Sequence, residues 1–160
     1  RETVGCHSDV EQHLQCQLGS QTQAALQKEK WDYVVLQEMS HGPISSPQSF
    51  FISVKRLCEW IRAKGATAVL FATWAYEKDS AKLATKGWNY EDMAQQLFAA
   101  YRQAAQENRA LLAEVGQRFY DLSPTHPLYA ADGVHPNEAG TQLAAEVIAE
   151  TLLTHKELTP

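Results

Sequence analysis

Cysteine is scarce in this sequence and irregularly spaced. The 160 residues contain three cysteines, Cys6, Cys16 and Cys58. No two of them have the short separation that is typical of a zinc site, and an odd number of cysteines is poor support for a disulfide framework. We therefore expect three free thiols, with Cys58 inside the core of a helix.

Long apolar runs and concentrated positive charge are also lacking. The apolar runs extend over a few residues, which is far too short for a helix that spans a bilayer. The formal net charge is −5 and no block of basic residues is present, which argues against nucleic acid as a partner. The absence of a glycine-rich phosphate loop disfavours a flavodoxin-like cofactor domain, and we expect no cofactor.

A recognisable targeting segment is lacking too. No signal peptide is visible, and because the sequence begins at Arg1 without methionine, we expect that the natural N-terminus has been removed. The residues favour neither a cytoplasmic nor a secreted location, and they indicate no oligomeric state.

The composition that is present is typical of a globular protein. Hydrophobic residues make up 44% and charged residues 21%, and the length fits a single domain over residues 1–160. Apolar segments alternate with segments of helical periodicity. The predicted strands are 31–38, 66–74 and 110–115, and the main predicted helices are 47–64, 90–108 and 137–153. This alternation predicts an α/β fold with a parallel sheet and helices on both faces.

The connections between these segments carry weaker signals. The apolar run of the first strand predicts burial on both faces. Residues 77–88 are charged and predict a solvated loop, with a lid as the alternative. Gly116 is expected to end the third strand, and 117–122 are expected to form one or two helical turns.

The segment Asp132-Gly133-Val134-His135-Pro136-Asn137 is the most informative part of the chain. A carboxylate three residues before a histidine can orient the imidazole and stabilise its charged form, so that His135 can take a proton from a nucleophilic hydroxyl. Pro136 stiffens the backbone after the histidine, and Asn137 is a good N-cap for the helix that follows. The alternative is a helix-capping turn that happens to contain a histidine.

Polar residues follow the first two predicted strands, where ligands bind in open α/β sheets. Gln37 is therefore placed where chemistry is expected. Glu38 beside it is a candidate site carboxylate, with a capping or surface role as the alternative. Trp74, at the end of the second strand, is a candidate substrate contact, although tryptophans more often pack in the core or at its rim.

Together these segments resemble the SGNH/GDSL hydrolase superfamily over most of residues 5–153. The Asp132–Asn137 segment and its helix resemble the last conserved block. Val34-Val35-Leu36-Gln37-Glu38-Met39-Ser40 resembles the third-block strand of a bacterial branch in which glutamine replaces the usual asparagine. Val69-Leu70-Phe71-Ala72-Thr73-Trp74-Ala75 fits the next strand.

The resemblance implies a three-layer α/β/α sandwich and a serine esterase mechanism. Asp132 would orient the imidazole, and His135 would act as general base and acid. Gln37 matches the asparagine whose side chain donates to the oxyanion, although it is one methylene longer. Gly5 matches the glycine whose backbone N–H is another oxyanion donor, on a weaker local pattern.

The nucleophile block departs from the family. A strand followed by Gly-Asp-Ser or Gly-Asn-Ser is not found before Gly5, so we expect the domain to lack its first strand and its nucleophilic serine. The alternative is that residues 4–9 form a nucleophile elbow in which Ser8 attacks. Against this, only about 20 residues separate Asp9 from the strand at Trp31, which is room for one helical crossover. The family places a further strand and its crossover between the first and third blocks.

Two functions from different classes follow. The first is a serine hydrolase of small acyl esters, with O-acetyl groups on carbohydrates as candidate substrates. The second is a non-catalytic binding module that has the fold and has lost the nucleophile. A metal site of His126, Asp132 and His135 is disfavoured, because their spacing does not match a helical pair of histidine ligands.

Overall fold

The computed structural model describes residues 24–158. Four residues of interest, Gly5, Cys6, Ser8 and Cys16, lie outside this range. The chain divides into two compact units, which are described separately. The first contains the described residues up to Phe71 together with Ala100–Leu112, and the second contains Ala72–Ala99 together with the residues from Ala113 onward.

The first unit contains the paired strands of a parallel sheet. Strand β1 (Tyr33–Gln37) pairs in parallel with β2 (Thr67–Phe71), in a register that places Gln37 opposite Phe71. Between them lie the short helix α1 (Gly42–Ser45) and the long helix α2 (Pro47–Ala63). The sheet order is β1-β2-β3, with β3 at Leu111–Ala113. The predicted alternation of strands and helices is confirmed, although each strand is shorter than expected.

Helix α2 buries one face, as its periodicity predicts. The buried side chains recur every three or four residues and are Phe50, Val54, Leu57, Cys58 and Ile61. Phe50 meets Tyr101 edge to face, with 5.2 Å between the ring centroids. Cys58 is buried in this core, as predicted, and its burial raises the pKa of the thiol to about 11.

Burial differs between the two paired strands. Ala68, Val69, Leu70 and Phe71 of β2 are buried, which confirms the prediction for this strand. The same prediction is wrong for β1, in which Val35 is 43% exposed. Among residues 24–158, β1 pairs with β2 alone and lies at the end of the sheet order.

Helix α4 (Tyr90–Asn108) has the predicted bounds and divides between the units. The side chain of Asn89 caps its start. Its Oδ1 accepts hydrogen bonds from the backbone N–H groups of Glu91 and Asp92, at 2.8 and 3.3 Å.

The second unit also contains helices α3 (Ala81–Lys86), α5 (Val115–Leu122) and α6 (Glu138–Leu158). The prediction of a solvated loop over 77–88 is wrong in part, because α3 lies inside it. Ser80 caps α3, whose single buried side chain, Leu83, is too weak a periodic signal to read from sequence.

Gly116 lies inside helix α5 and does not end strand β3, which corrects the expected boundary. Its N–H donates to the carbonyl oxygen of Ala72 at 2.9 Å. A Cβ atom at this position would lie 2.2 Å from the carbonyl oxygen of Thr73, so the helix start touches the backbone of 72–73 directly. The residues after β2 are thereby fixed to the start of α5.

Candidate active site

Asp132 and His135 form a closed hydrogen-bonded unit in the second unit of the chain. Oδ2 of Asp132 lies 2.6 Å from Nδ1 of His135. Oδ1 accepts the backbone N–H groups of Val134 and His135, each at 2.9 Å. One carboxylate therefore orients the imidazole and holds the backbone that carries it. Nε2 is left as the ring nitrogen that can meet a hydroxyl.

The charge on Asp132 is favoured by these contacts. The hydrogen bond to His135 and the two backbone N–H groups lower the pKa of the carboxyl group to about 2. The side chains of His135 and Asp132 are 75% and 50% exposed. The pair is therefore accessible to a ligand, and its carboxylate stays ionised through the neutral and mildly acidic range.

Local backbone structure explains the position of this pair. Tyr129 and Pro136 form an antiparallel bridge, and the N–H of Ala130 donates to the carbonyl oxygen of His135 at 2.8 Å. Asn137 stands just before α6, where its Oδ1 accepts the N–H of Gly140 and its Nδ2 donates to the carbonyl oxygen of Pro127. The predicted N-cap is confirmed. It anchors the end of the segment 129–137, which carries His135 and is called the histidine loop below.

The residues that follow β2 hold the histidine loop at three places. The indole N–H of Trp74 donates to the carbonyl oxygen of Val134 at 3.0 Å. The backbone N–H of Glu77 donates to the carbonyl oxygen of Gly133 at 2.8 Å. The hydroxyl of Tyr129 donates to the carbonyl oxygen of Ala75 at 2.9 Å. Sequence reasoning missed the roles of Glu77 and Tyr129, because these contacts join residues more than fifty positions apart.

Trp74 is 9% exposed, and its ring stacks on Phe119 with 4.3 Å between the centroids. Its described contacts are thus made with the core and with the histidine loop. A direct contact between Trp74 and a substrate stays a prediction.

Gly133 has a positive φ of 64° inside the histidine loop. A Cβ atom here would lie 2.7 Å from Cβ of Ser80, a crowded position that leaves no room for a side chain. Gly87 has the same backbone conformation, with φ at 65°, and a Cβ atom there meets nothing within 4 Å. The two glycines therefore separate the effect of conformation from the effect of crowding.

The Gly133→Ala variant is expected to lose more stability than the Gly87→Ala variant. The left-handed conformation costs each alanine about 1–2 kcal/mol, and the clash with Ser80 adds about 1–3 kcal/mol to Gly133→Ala alone. Urea unfolding of both variants measures the difference. Equal losses would show that the loop relaxes around the added methyl group and would contradict the tight packing described above.

Gln37 and Glu38 lie in the first unit. Gln37 is the last residue of β1 and is half-buried. Oε1 of Glu38 accepts the N–H of Met39 at 2.6 Å, and burial raises the pKa of this carboxyl group. The side chain of Glu38 packs against Gly42, where a Cβ atom would lie 2.6 Å from Cγ of the glutamate. That Gln37 and Glu38 meet His135 stays a prediction.

The remaining candidate residues from the sequence are Gly5, Ser8 and His126. Gly5 and Ser8 lie outside the described residues. Nδ1 of His126 lies 2.9 Å from Oγ1 of Thr125. Within residues 24–158, no group of three or more histidine, cysteine, aspartate or glutamate side chains is arranged to hold a metal ion. No helix in that same range is long and apolar enough to cross a membrane.

Several solved structures are similar to this chain. A protein from Slackia heliotrinireducens, provisionally identified as an SGNH hydrolase, is 46% identical, with a TM-score of 0.84 over 90% of this chain and 79% of that chain. A DUF4886 family protein from Bacteroides uniformis ATCC 8492 is 23% identical, with a TM-score of 0.69 over 82% of this chain. This chain covers 54% of that protein, or about half its length.

A more distant similarity concerns the fold alone. A tryptophan-to-isoleucine variant of Axe2, an acetyl xylan esterase from Geobacillus stearothermophilus, is 16% identical, with a TM-score of 0.63 over 89% of this chain and 67% of that chain. No family model and no curated protein sequence matches the chain.

These similarities agree with the parallel sheet and the connecting helices described above. They confirm the predicted three-layer α/β/α class. An identity of 46% over 90% of the chain goes further than a shared fold. The chain belongs to the SGNH hydrolase superfamily.

Proposed function

We propose that this protein is a serine ester hydrolase in which Asp132 and His135 supply the acid–base chemistry. The observation that carries the proposal is the 2.6 Å contact between the Asp132 carboxylate and Nδ1 of an accessible imidazole. This arrangement directs Nε2 to the proton of a nucleophilic hydroxyl and stabilises the imidazolium that forms when the proton is taken.

The reaction proceeds by acyl transfer in two stages. His135 takes the serine proton as the serine oxygen adds to the ester carbonyl, and returns it to the leaving alcohol as the carbon–oxygen bond breaks. Water then adds to the acyl-serine with His135 again as base, which releases the carboxylic acid and restores the serine. The nucleophile of this mechanism is a serine. Ser8 is the candidate within this sequence.

The oxyanion of the tetrahedral intermediate needs aimed hydrogen-bond donors. We assign this role to the side-chain amide of Gln37, which comes at the carboxyl end of β1, and to the backbone N–H of Gly5. The support for Gln37 is its position at a strand end, where open α/β sheets bind their ligands.

We propose small acyl esters as substrates, with O-acetyl groups on carbohydrates as the candidate class. The 75% exposure of the His135 side chain is compatible with an acyl group that projects from a bulky molecule. The acetyl xylan esterase among the structural neighbours is compatible with this assignment.

A fluorophosphonate probe tests the proposal. The full-length protein is expected to form a covalent adduct at one serine, identified by peptide mapping, and to lose its activity on p-nitrophenyl acetate in parallel. A labelled peptide that contains Ser8 would assign the nucleophile to this residue, and the Ser8→Ala variant should then fail to label. If no serine reacts while an acetylated oligosaccharide still binds, the protein is a binding module and the esterase assignment is wrong.

A further inference from the structure

Trp74 contacts the backbone that carries the histidine. It donates to the carbonyl oxygen of Val134, which lies in the chain between Asp132 and His135. A displacement of that carbonyl moves the two peptide groups whose N–H bonds end on Asp132. The indole is therefore one hydrogen bond away from the backbone that the carboxylate organises.

Trp74 is itself held firmly. Its ring lies nearly parallel to that of Phe119, with an interplanar angle of 9° and full burial of the phenylalanine. The backbone just before it is fixed as well, since the N–H of Ala72 donates to Ala113 at 3.0 Å and the carbonyl oxygen of Ala72 accepts the N–H of Gly116. Trp74 therefore connects the packed core to the exposed histidine loop.

We propose that Trp74 is a positioning residue for His135, and that Tyr129 is a second, weaker one. The expected kinetic effects rest on the proposed esterase function. The structural effects rest on the hydrogen bonds alone. Both side chains act through the backbone: Trp74 at Val134, and Tyr129 through its buried hydroxyl at Ala75. Without them, the loop that carries Asp132 and His135 loses its fixed direction, and the hydrogen bond between the two side chains becomes less well ordered.

The proposal differs from a role in substrate binding in one measurable respect. A positioning residue affects the reaction step, because misplacement of the base by about 1 Å can cost a hundredfold in rate. A residue that contacts the substrate equally in the ground and transition states affects KM instead. The separate effects on kcat and KM therefore distinguish the two roles.

The Trp74→Phe variant is the test. Phenylalanine keeps an aromatic ring against Phe119 and removes the N–H donor. We expect kcat for p-nitrophenyl acetate to fall about 10- to 100-fold, with KM within about threefold of wild type. The matched control is Trp88→Phe, which makes the same chemical change at a tryptophan whose described partners are Tyr76 and Lys86. That control should keep the wild-type kcat.

A spectroscopic readout separates this proposal from the esterase assignment. In wild type, the Nδ1–H proton of His135 should give a low-field resonance in proton NMR, because it is bound to a carboxylate at short distance. We expect Trp74→Phe to broaden or abolish this resonance and Trp88→Phe to leave it unchanged. This result would support the positioning role even in a protein that hydrolyses no ester.

Two outcomes would overturn the proposal. One is a raised KM with an unchanged kcat, which would make Trp74 a substrate contact. The other is an unchanged resonance in the Trp74→Phe variant. If that variant does not fold, Tyr129→Phe carries the same test, because it removes one hydroxyl and keeps the ring. An unchanged resonance in that variant would then overturn the positioning role.

Discussion

The His135→Ala variant is expected to hydrolyse p-nitrophenyl acetate at least about a thousandfold more slowly than wild type. The imidazole is the group that takes the serine proton and returns it to the leaving alcohol, and general acid–base catalysis contributes up to about 10⁴-fold. Among the described residues that bond Asp132, His135 is the one whose side chain can take this proton. The measurement is kcat/KM for the full-length protein and the variant, prepared and assayed side by side.

Two controls give this result its meaning. Because the His135 side chain is 75% exposed and its contact with Asp132 is an exposed ion pair, its removal should change the free energy of unfolding by no more than about 1 kcal/mol, and loss of fold would not explain loss of activity. His126→Ala removes another exposed histidine, nine positions earlier, whose ring contacts Thr125, and should keep the wild-type rate. Equal rates for His135→Ala and wild type would remove the base assignment.

The Asp132→Asn variant is expected to lower kcat by about 10³- to 10⁴-fold. The amide oxygen can still accept the two backbone N–H groups, so the loop conformation should persist. The amide nitrogen, however, replaces the oxygen that faces Nδ1 of His135. It presents a donor to that ring nitrogen, which favours the tautomer with the proton on Nε2. In that tautomer Nε2 cannot accept the serine proton.

The pH dependence of kcat also tests the role of Asp132. Its pKa is lowered in the folded protein to about 2, from 3.8, so its favourable contacts are fully present above the unfolded value and are lost as the pH falls toward 2. Between pH 7 and about pH 5 its charge should not change. Any loss of kcat across that interval must arise from another group. A titration of the Asp132 carboxyl carbon by NMR would show this directly, and a midpoint near 4 would contradict it.

Asp121→Asn is the matched control for the aspartate substitution. Asp121 is exposed at the end of α5, where its Oδ1 accepts from the side chain of Gln117 at 3.0 Å. The same chemical change there should leave kcat within about twofold, because the side chain bonds its own helix and not the imidazole. A comparable loss in both variants would mean that the effect of Asp132→Asn comes from altered surface charge.

Sequence reasoning succeeded where the physical cause is local. Asp132 and His135 are three positions apart, so a single turn of the chain brings their side chains together, and this proximity can be read from the sequence. Their catalytic roles stay a prediction. Helix α4 was likewise predicted with its bounds, because its buried residues recur with helical period and Asn89 caps its start.

It failed where the cause is distant in sequence. The exposure of Val35 depends on what packs against its face of the sheet, and an apolar run does not carry that information. Helix α3 has a single buried side chain, so its period is hidden among charged residues. The contact from Trp74 to Val134 joins positions sixty apart, and only coordinates show that the tryptophan supports the histidine loop.

A crystal structure of the full-length protein after reaction with a fluorophosphonate tests the central claim most directly. We expect a phosphonylated serine whose oxygen lies about 3 Å from Nε2 of His135, with the phosphoryl oxygen accepting a hydrogen bond from the side-chain amide of Gln37. An adduct remote from His135, or a Gln37 side chain directed away from the phosphoryl group, would contradict it.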